Sequence, residues 1–214
     1  MTELAFVAAS CGYNVTGTTL EEVSSHFHTP YAAEVTTEPT GSGELETTTL
    51  PKLTTGECPF QARATVKSYE VSLNQKVELP NWTNRSEAPC AKIQDEWDRF
   101  IGCANIHENG HISFNDDFIA NDLPGYIARI KALTADGSGK TQQEADDDAE
   151  AKLQQKIQEI ANEATTKLQE KHDKYDDDTE HGATQGATLN TNIVCTESDP
   201  APTPTPSPTP NPTP

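Results

Sequence analysis

The sequence predicts a single α+β domain, and three observations carry that expectation. Apolar residues alternate with polar ones between Ala62 and Leu79, a helical repeat leads into residues 107–111, and a narrow apolar stripe runs from about Thr141 to Tyr175. The expected architecture is a small antiparallel sheet, a helix containing a histidine pair, and a long C-terminal helix. Residues 1–10 read as a lead, 11–197 as the domain and 198–214 as a Pro/Thr-rich linker.

Each element follows from local pattern. Tyr13 to Val15 reads as a short strand. Thr19 and Glu22 form a capping box at the start of a helix that places Leu20, Val23 and Phe27 on one face. Residues 36–57, dominated by Thr, Glu, Gly and Ser, are expected to be an irregular insertion. Ala62, Ala64, Val66, Tyr69, Val71, Leu73, Val77 and Leu79 suggest a hairpin with one buried face, turning near Asn74 and Gln75. Pro89 opens a helix carrying Ile93, Trp97, Ile101 and Ala104 at helical spacing. A short helix spans Pro124 to Leu133. The long helix after it carries Ala145, Ala149, Leu153, Ile157, Ala161, Ala164 and Leu168 on one stripe, with Glu and Lys elsewhere.

Composition narrows the function classes. The 214 residues carry 15 Lys and Arg against 34 Asp and Glu, a net charge of −19, and mean hydropathy is −0.69. Such a charge repels phosphate backbones and anionic lipid, so no nucleic-acid partner is expected. No stretch reaches the ~20 apolar residues a spanning helix needs. Eight prolines stand in residues 200–214, PAPTPTPSPTPNPTP, an extended spacer suited to joining the domain to another domain or the cell surface. The five cysteines, Cys11, Cys58, Cys90, Cys103 and Cys195, show no CxxC spacing. Well-separated cysteines in an acidic, Thr-rich chain fit a secreted or cell-surface protein with one or two disulfides, although residues 1–10 show no signal-peptide pattern. Asn14, Asn81 and Asn84 begin N-x-S/T sequons.

The chemical signal is His107-Glu108-Asn109-Gly110-His111, an HExxH motif on a helix. Positions i and i+4 share a face, so both imidazoles can reach one zinc ion at ~2.0–2.1 Å. Glu108, rotated by about 100° from His107, is placed to act as general base toward a water activated by the ion. Gly110 leaves room beside the ion. Two histidines leave a catalytic zinc one protein ligand short. The metzincin extension fails, because Phe114 and Asp117 stand where Gly and His are required. The remaining candidates are Asp117, a helix carboxylate among Glu150, Glu159 and Glu163, and His181 in Tyr175-Asp176-Asp177-Asp178-Thr179-Glu180-His181-Gly182.

The ordered set Tyr13-Asn14-Val15-Thr16-Gly17, the alternating stretch closing at Leu79-Pro80-Asn81-Trp82, Trp97 before the HExxH, and Tyr175-Asp176-x-x-Thr179-x-His181-Gly182 through Gln185-Gly186-Ala187 resembles a bacterial family of unknown function described as predicted secreted zinc-dependent proteases. The resemblance spans roughly residues 11–195. It implies a single zincin-like metallopeptidase domain acting on protein or peptide substrates, with His107 and His111 as zinc ligands, Glu108 as base and His181 as third ligand. Tyr175 is a candidate oxyanion donor, and Asp176 a candidate for orienting a ligand imidazole from outside the coordination sphere.

Other residues have plainer readings. Cys103, one turn before His107, is expected to be a core or disulfide cysteine, and His26 and His28 to end a surface helix. His172 is expected to be solvated or packed, and the Asp146–Asp148 and Asp176–Asp178 runs lack the spacing of a calcium loop. Two further functions fit the motif: a non-catalytic zinc-bearing binding or adhesion module on a proline-rich spacer, and a zinc amidase acting on a non-peptide amide.

Overall fold

The computed structural model describes residues 8–28 and 32–202. The lead before residue 8 and most of the proline linker lie outside them. The protein is mixed α and β, with a four-stranded sheet and one long helix. Its strands are β1 (Ala8–Val15), β2 (Glu34–Leu50), β3 (Phe60–Trp82) and β4 (Thr134–Gly139). Its helices are α1 (Leu20–Ser24), α2 (Ala91–Asp117), α3 (Leu123–Lys131) and α4 (Gln142–Thr179). The chain forms two compact units, one of residues 37–75 and 112–174, the other of 8–36, 76–111 and 175–202.

In the first unit, β3 pairs antiparallel with β4, Phe60 opposite Gly139 and Thr65 opposite Thr134. β2 lies on β3 as well, with Thr40 bonded to Ser72 and Glu44 to Ser68. The apolar stripe of α4 packs on this sheet: Ala145, Ala149 and Leu153 are buried against Ala62, Ala64 and Ala135. The contact is close because β4 carries Gly137 and Gly139, where a Cβ would strike the backbone of α4. A second cluster gathers Leu73, Phe118, Leu123, Tyr126, Ala164 and Leu168. The polar faces of α4 are tied by i,i+4 bonds such as Gln142–Asp146 (2.8 Å) and Lys152–Asp148 (2.6 Å), each worth a few tenths of a kcal/mol.

The second unit has its own core, in which Val15, Leu20, Val23, Trp82, Ile93, Trp97 and Phe100 are buried. The Thr19–Glu22 capping box forms as expected: Thr19 accepts from the Glu22 amide, and Glu22 reaches back to the Thr19 amide. On α2 Ile93, Trp97, Phe100 and Ala104 are buried, and Ile101, expected on the same stripe, packs at the margin.

Two expectations about strands are corrected. Residues 62–79 make no hairpin, because β3 runs straight through Asn74 and Gln75. Neither residue takes the positive φ that a two-residue turn requires. Much of the expected irregular insertion is β2, the strand that lies beside β3. Its β-branched threonines suit an extended, half-exposed surface, and only residues beyond Leu50 are irregular.

Among the described residues one disulfide, Cys90–Cys195, closes a span of 105 residues in the second unit. Cys58 and Cys103 are free thiols, so Cys103 takes no part in a disulfide. It sits half-buried with its sulfur 3.9 Å from Arg99 Nη1.

Candidate metal centre

The centre is built on α2 and on the end of α4. The face of α2 that buries Ile93, Trp97, Phe100 and Ala104 continues into His107, Glu108 and His111, all buried. A helix repeats every 3.6 residues, so a core stripe running along it carries the histidine pair inward. Their rings lie edge to face, with centroids 4.8 Å apart. Gly110 lies between them in sequence, and a Cβ there would overlap the Tyr175 phenol. The glycine thus makes room for a side chain. Tyr175 stacks on His107 at 5.0 Å and 11°, and meets His111 edge-on at 5.0 Å.

Three donor atoms converge. His107 Nε2 and His111 Nε2 are 3.3 Å apart, and Asp176 Oδ1 is 3.1 Å from the first and 3.0 Å from the second. Around a tetrahedral ion with bonds of 2.0–2.1 Å, ligand atoms stand about 3.3 Å from one another, so the spacing fits one cation. The chemistry of the trio fits too. His107 Nδ1 lies 3.1 Å from the Gln185 side-chain oxygen Oε1, which as an acceptor sets the proton on Nδ1. Its Nε2 then presents a lone pair toward a carboxylate oxygen and a second imidazole nitrogen. Such a gathering of acceptors calls for a cation at its centre.

The end of α4 decides which residues join this group. Asp176 lies within its last turn, and the helix stops at Thr179. Glu180 (φ 50°), His181 (φ 51°) and Gly182 (φ 82°) then take left-handed conformations, and the His181 amide donates back to the Asp176 carbonyl at 2.8 Å. Thr179 Oγ1 donates to the Tyr175 carbonyl at 2.7 Å and accepts from the Gly182 amide at 3.3 Å. Gly182 is required here, since a Cβ would stand 3.0 Å from His107 Cγ at a φ that L residues avoid. A short turn then brings Gln185 back over the site. Its amide nitrogen donates to the Tyr175 hydroxyl at 3.0 Å while its oxygen faces His107.

Arg99 pins this returning segment to α2. It donates to the carbonyls of Gly186 (2.6 Å) and Thr188 (2.7 Å) and forks onto Glu96, whose Oε1 also accepts from the Asn190 amide. The Arg99 hydrogen bonds hold the Glu96 carboxyl below its usual range.

Glu108 is the electrostatic outlier. The residue is 4% exposed, and its pKa rises from 4.5 to about 7, first through burial, then through the negative charges of Asp176 and Glu34. A carboxylate so placed divides its time between acid and base near neutral pH.

The sequence-derived candidates sort as follows. His107, Glu108, His111, Tyr175 and Asp176 come together. Asp176, expected outside the coordination sphere, stands in the third donor position. His181, expected to hold that position, has Nδ1 3.9 Å from Asp176 Oδ1 and a 40% exposed side chain, and lies outside the trio. His181 lies beyond the left-handed reversal that follows Thr179, whereas Asp176 lies within the helix. Asp117 is engaged by Lys171 (3.0 Å) and Asn121 (2.7 Å), and Glu163 by Arg129, all within the first unit. His172 pairs there with Asn115 at 2.9 Å. His26 bonds the Thr16 carbonyl and His28 stacks on Tyr13 at 3.7 Å, both at the surface as expected. Gln185 and Arg99 were not foreseen, since a lone amide and a lone guanidinium have no spacing signature.

These features define a mixed α/β protein whose buried His–His–carboxylate group can hold a metal ion. The family described as bacterial protein of unknown function (DUF922) matches residues 12–182, and the chain belongs to that family. The matched span contains all three donors and ends at Gly182, just short of Gln185. No curated protein and no solved structure matches the chain.

Proposed function

We propose that the protein is a zinc-dependent peptide hydrolase with a zincin-like site. The observation that carries this reading is the convergence of His107 Nε2, His111 Nε2 and Asp176 Oδ1 within 3.0–3.3 Å, with the buried carboxyl of Glu108 next along the same helix. Two imidazoles and a carboxylate are a donor set suited to zinc. A zinc ion held there would supply Lewis acidity toward a carbonyl oxygen and lower the pKa of water to about 7.

Proton handling falls to the chain. Glu108 takes a proton at its carboxylate from the attacking water and returns it to the departing amine. Gln185 holds His107 in the tautomer that leaves Nε2 to the ion, and steadies the Tyr175 hydroxyl at 3.0 Å. Tyr175 is the assigned O–H donor to the substrate's developing oxyanion. The Cys90–Cys195 disulfide supports action in an oxidising compartment, as a secreted or surface-attached protein. A metal site kept for stability alone would have no use for a second acidic group buried beside the three donors, which favours an enzyme over a binding module.

The test is metal content together with turnover. The purified chain should hold about one zinc and cleave an unfolded protein, and a chelator should abolish cleavage. Glu108→Gln should keep the metal and lose turnover by a factor on the order of 10²–10⁴. Absent metal, or unchanged turnover in that variant, overturns the reading.

A further inference from the structure

We infer that Arg99 is a positioning residue of the donor group, acting through the backbone at Gly186 and Thr188 on Gln185, and through Gln185 on His107. The inference rests on the zinc-site part of the proposed function and does not depend on peptide hydrolysis.

Residues 182–200 form a strap that runs back along α2, with its ties in reverse order along that helix. Gln185 meets His107, Gly186 and Thr188 meet Arg99, Asn190 meets Glu96, and Cys195 is bonded to Cys90. Beyond the disulfide, Asp199 pairs with Lys92 at 2.6 Å and the Pro200 carbonyl accepts from the Ala91 amide at 3.0 Å. Leu189 and Ile193, between these ties in sequence, pack on the core of the second unit. The strap is thus fastened near the start of α2 and carries Gln185 at its other end, over the donors.

Gln185 stands on a turn that closes on itself. The Gln185 and Ala187 amides both donate to the Gly182 carbonyl at 3.0 Å, and the Gly186 amide donates to the Ala183 carbonyl at 3.0 Å. On the α4 side the turn is held by Thr179, whose Oγ1 accepts from the Gly182 amide at 3.3 Å and whose carbonyl accepts from Thr184 Oγ1 at 3.1 Å. On the strap side it is held by Arg99, through the carbonyl of the residue next to Gln185. Gly186 lets the guanidinium come that close. Its φ is 86°, and a Cβ there would stand 3.2 Å from Arg99 Nη1 and 3.1 Å from Cys103 Sγ.

The guanidinium is itself oriented. Nε and Nη2 donate to the two Glu96 oxygens at 2.8 and 2.7 Å, while Nη1 and Nη2 reach the two strap carbonyls at 2.6 and 2.7 Å. A planar fork can serve a carboxylate and two carbonyls together, which a single ammonium cannot. At the other end the tolerance is small. A displacement of about half an ångström takes the 3.1 Å contact between Gln185 Oε1 and His107 Nδ1 out of hydrogen-bond range, so the set of the His107 ring depends on how firmly Gly186 is held.

The test is a double-mutant cycle on zinc affinity in the full chain, read by competition with a chromophoric chelator. Arg99→Leu and Arg99→Lys, the second keeping the charge without the fork, should each weaken zinc binding about 10-fold, the lower end of the range for outer-shell partners. In a Gln185→Leu background each should cost less than about 3-fold, because the route to His107 is already cut. Arg99→Lys decides the matter should the leucine variant not fold. Arg85→Leu removes a comparable fork, onto Asp98 of the same helix, and should keep zinc affinity within about 3-fold of wild type, so that lost stability alone does not imitate the effect. In the zinc-loaded chain the His107 Nδ1–H proton should exchange with solvent faster in the Arg99 variants than in wild type, as followed by NMR. Equal losses with and without Gln185, unchanged affinity in the Arg99 variants, or a matching loss in Arg85→Leu overturns the assignment. A wild-type chain that binds no zinc overturns the zinc reading and the assignment together, whereas the expected cycle in a chain that cleaves no peptide upholds the assignment and overturns hydrolysis alone.

Discussion

Glu108→Gln in the metal-free chain isolates the cost of burying a charge at the centre. The wild-type carboxyl has a folded pKa of about 7 against an ordinary value of 4.5, raised by burial and then by Asp176 and Glu34. The folded state therefore holds this proton more tightly than the unfolded state. Stability from Glu108 is complete below about pH 4.5, falls as pH rises through the interval to about 7, and stays at its reduced level above it. At about 1.36 kcal/mol per pH unit the full interval corresponds to about 3.4 kcal/mol, and water reaching the site trims this to roughly 2–3 kcal/mol. A glutamine carries no charge to bury, so the variant should lack this loss. The assay is urea unfolding of both chelated proteins at several pH values from 4 to 8.5. The other titrating groups are shared, so the difference between the two curves reports Glu108. That difference should grow by roughly 2–3 kcal/mol between pH 4.5 and 7.5 in favour of Glu108→Gln, and added zinc should shrink it by compensating the carboxylate. Parallel curves across the range would refute the electrostatic argument.

The other predictions test geometry. Asp176→Ala should lower zinc affinity at least about 100-fold in competition with a chromophoric chelator, while His181→Ala should keep about one zinc per chain and lose no more than the 10- to 100-fold typical of outer-shell partners; the opposite order would exchange their roles. Gln185→Leu should weaken zinc binding by about 10- to 100-fold with little change in melting temperature, because it releases the His107 ring without opening the core. Gly110→Ala should destabilise the chain by about 1–3 kcal/mol in urea despite alanine's helix preference, since its methyl enters the Tyr175 ring; a gain in stability would contradict that contact. Cys90→Ser should cost about 2–5 kcal/mol, given the 105-residue span the bridge closes, and should loosen the segment carrying Gln185, seen as faster amide exchange at residues 185–190.

How legible each part was depends on the range over which its cause acts. The capping box at Thr19, the burial of Ala145, Ala149 and Leu153 on α4, and the shared face of His107 and His111 all follow from neighbours within one or two helical turns. Strand pairing is a longer-range matter. The alternation in 62–79 was real, but the number of strands in it depended on whether Asn74 and Gln75 turn, and the partner proved to be the Thr-rich segment read as irregular.

The donor group shows the same division. Sequence alone established that one helix would present two imidazoles and a carboxyl in a fixed order, because the 3.6-residue repeat leaves no other arrangement. It also marked 175–182 as a partner segment of the site. Only the tertiary structure brings Asp176 within 3.0–3.1 Å of both imidazole nitrogens and leaves His181, five residues on, outside that group. The difference turns on where α4 ends, since Asp176 lies in its last helical turn and His181 beyond a left-handed reversal. The same holds for Gln185 and Arg99, whose partners lie 78 and 87 residues away in the chain. Contacts closed over such distances leave no periodic mark in a sequence, because they depend on the packing of whole elements.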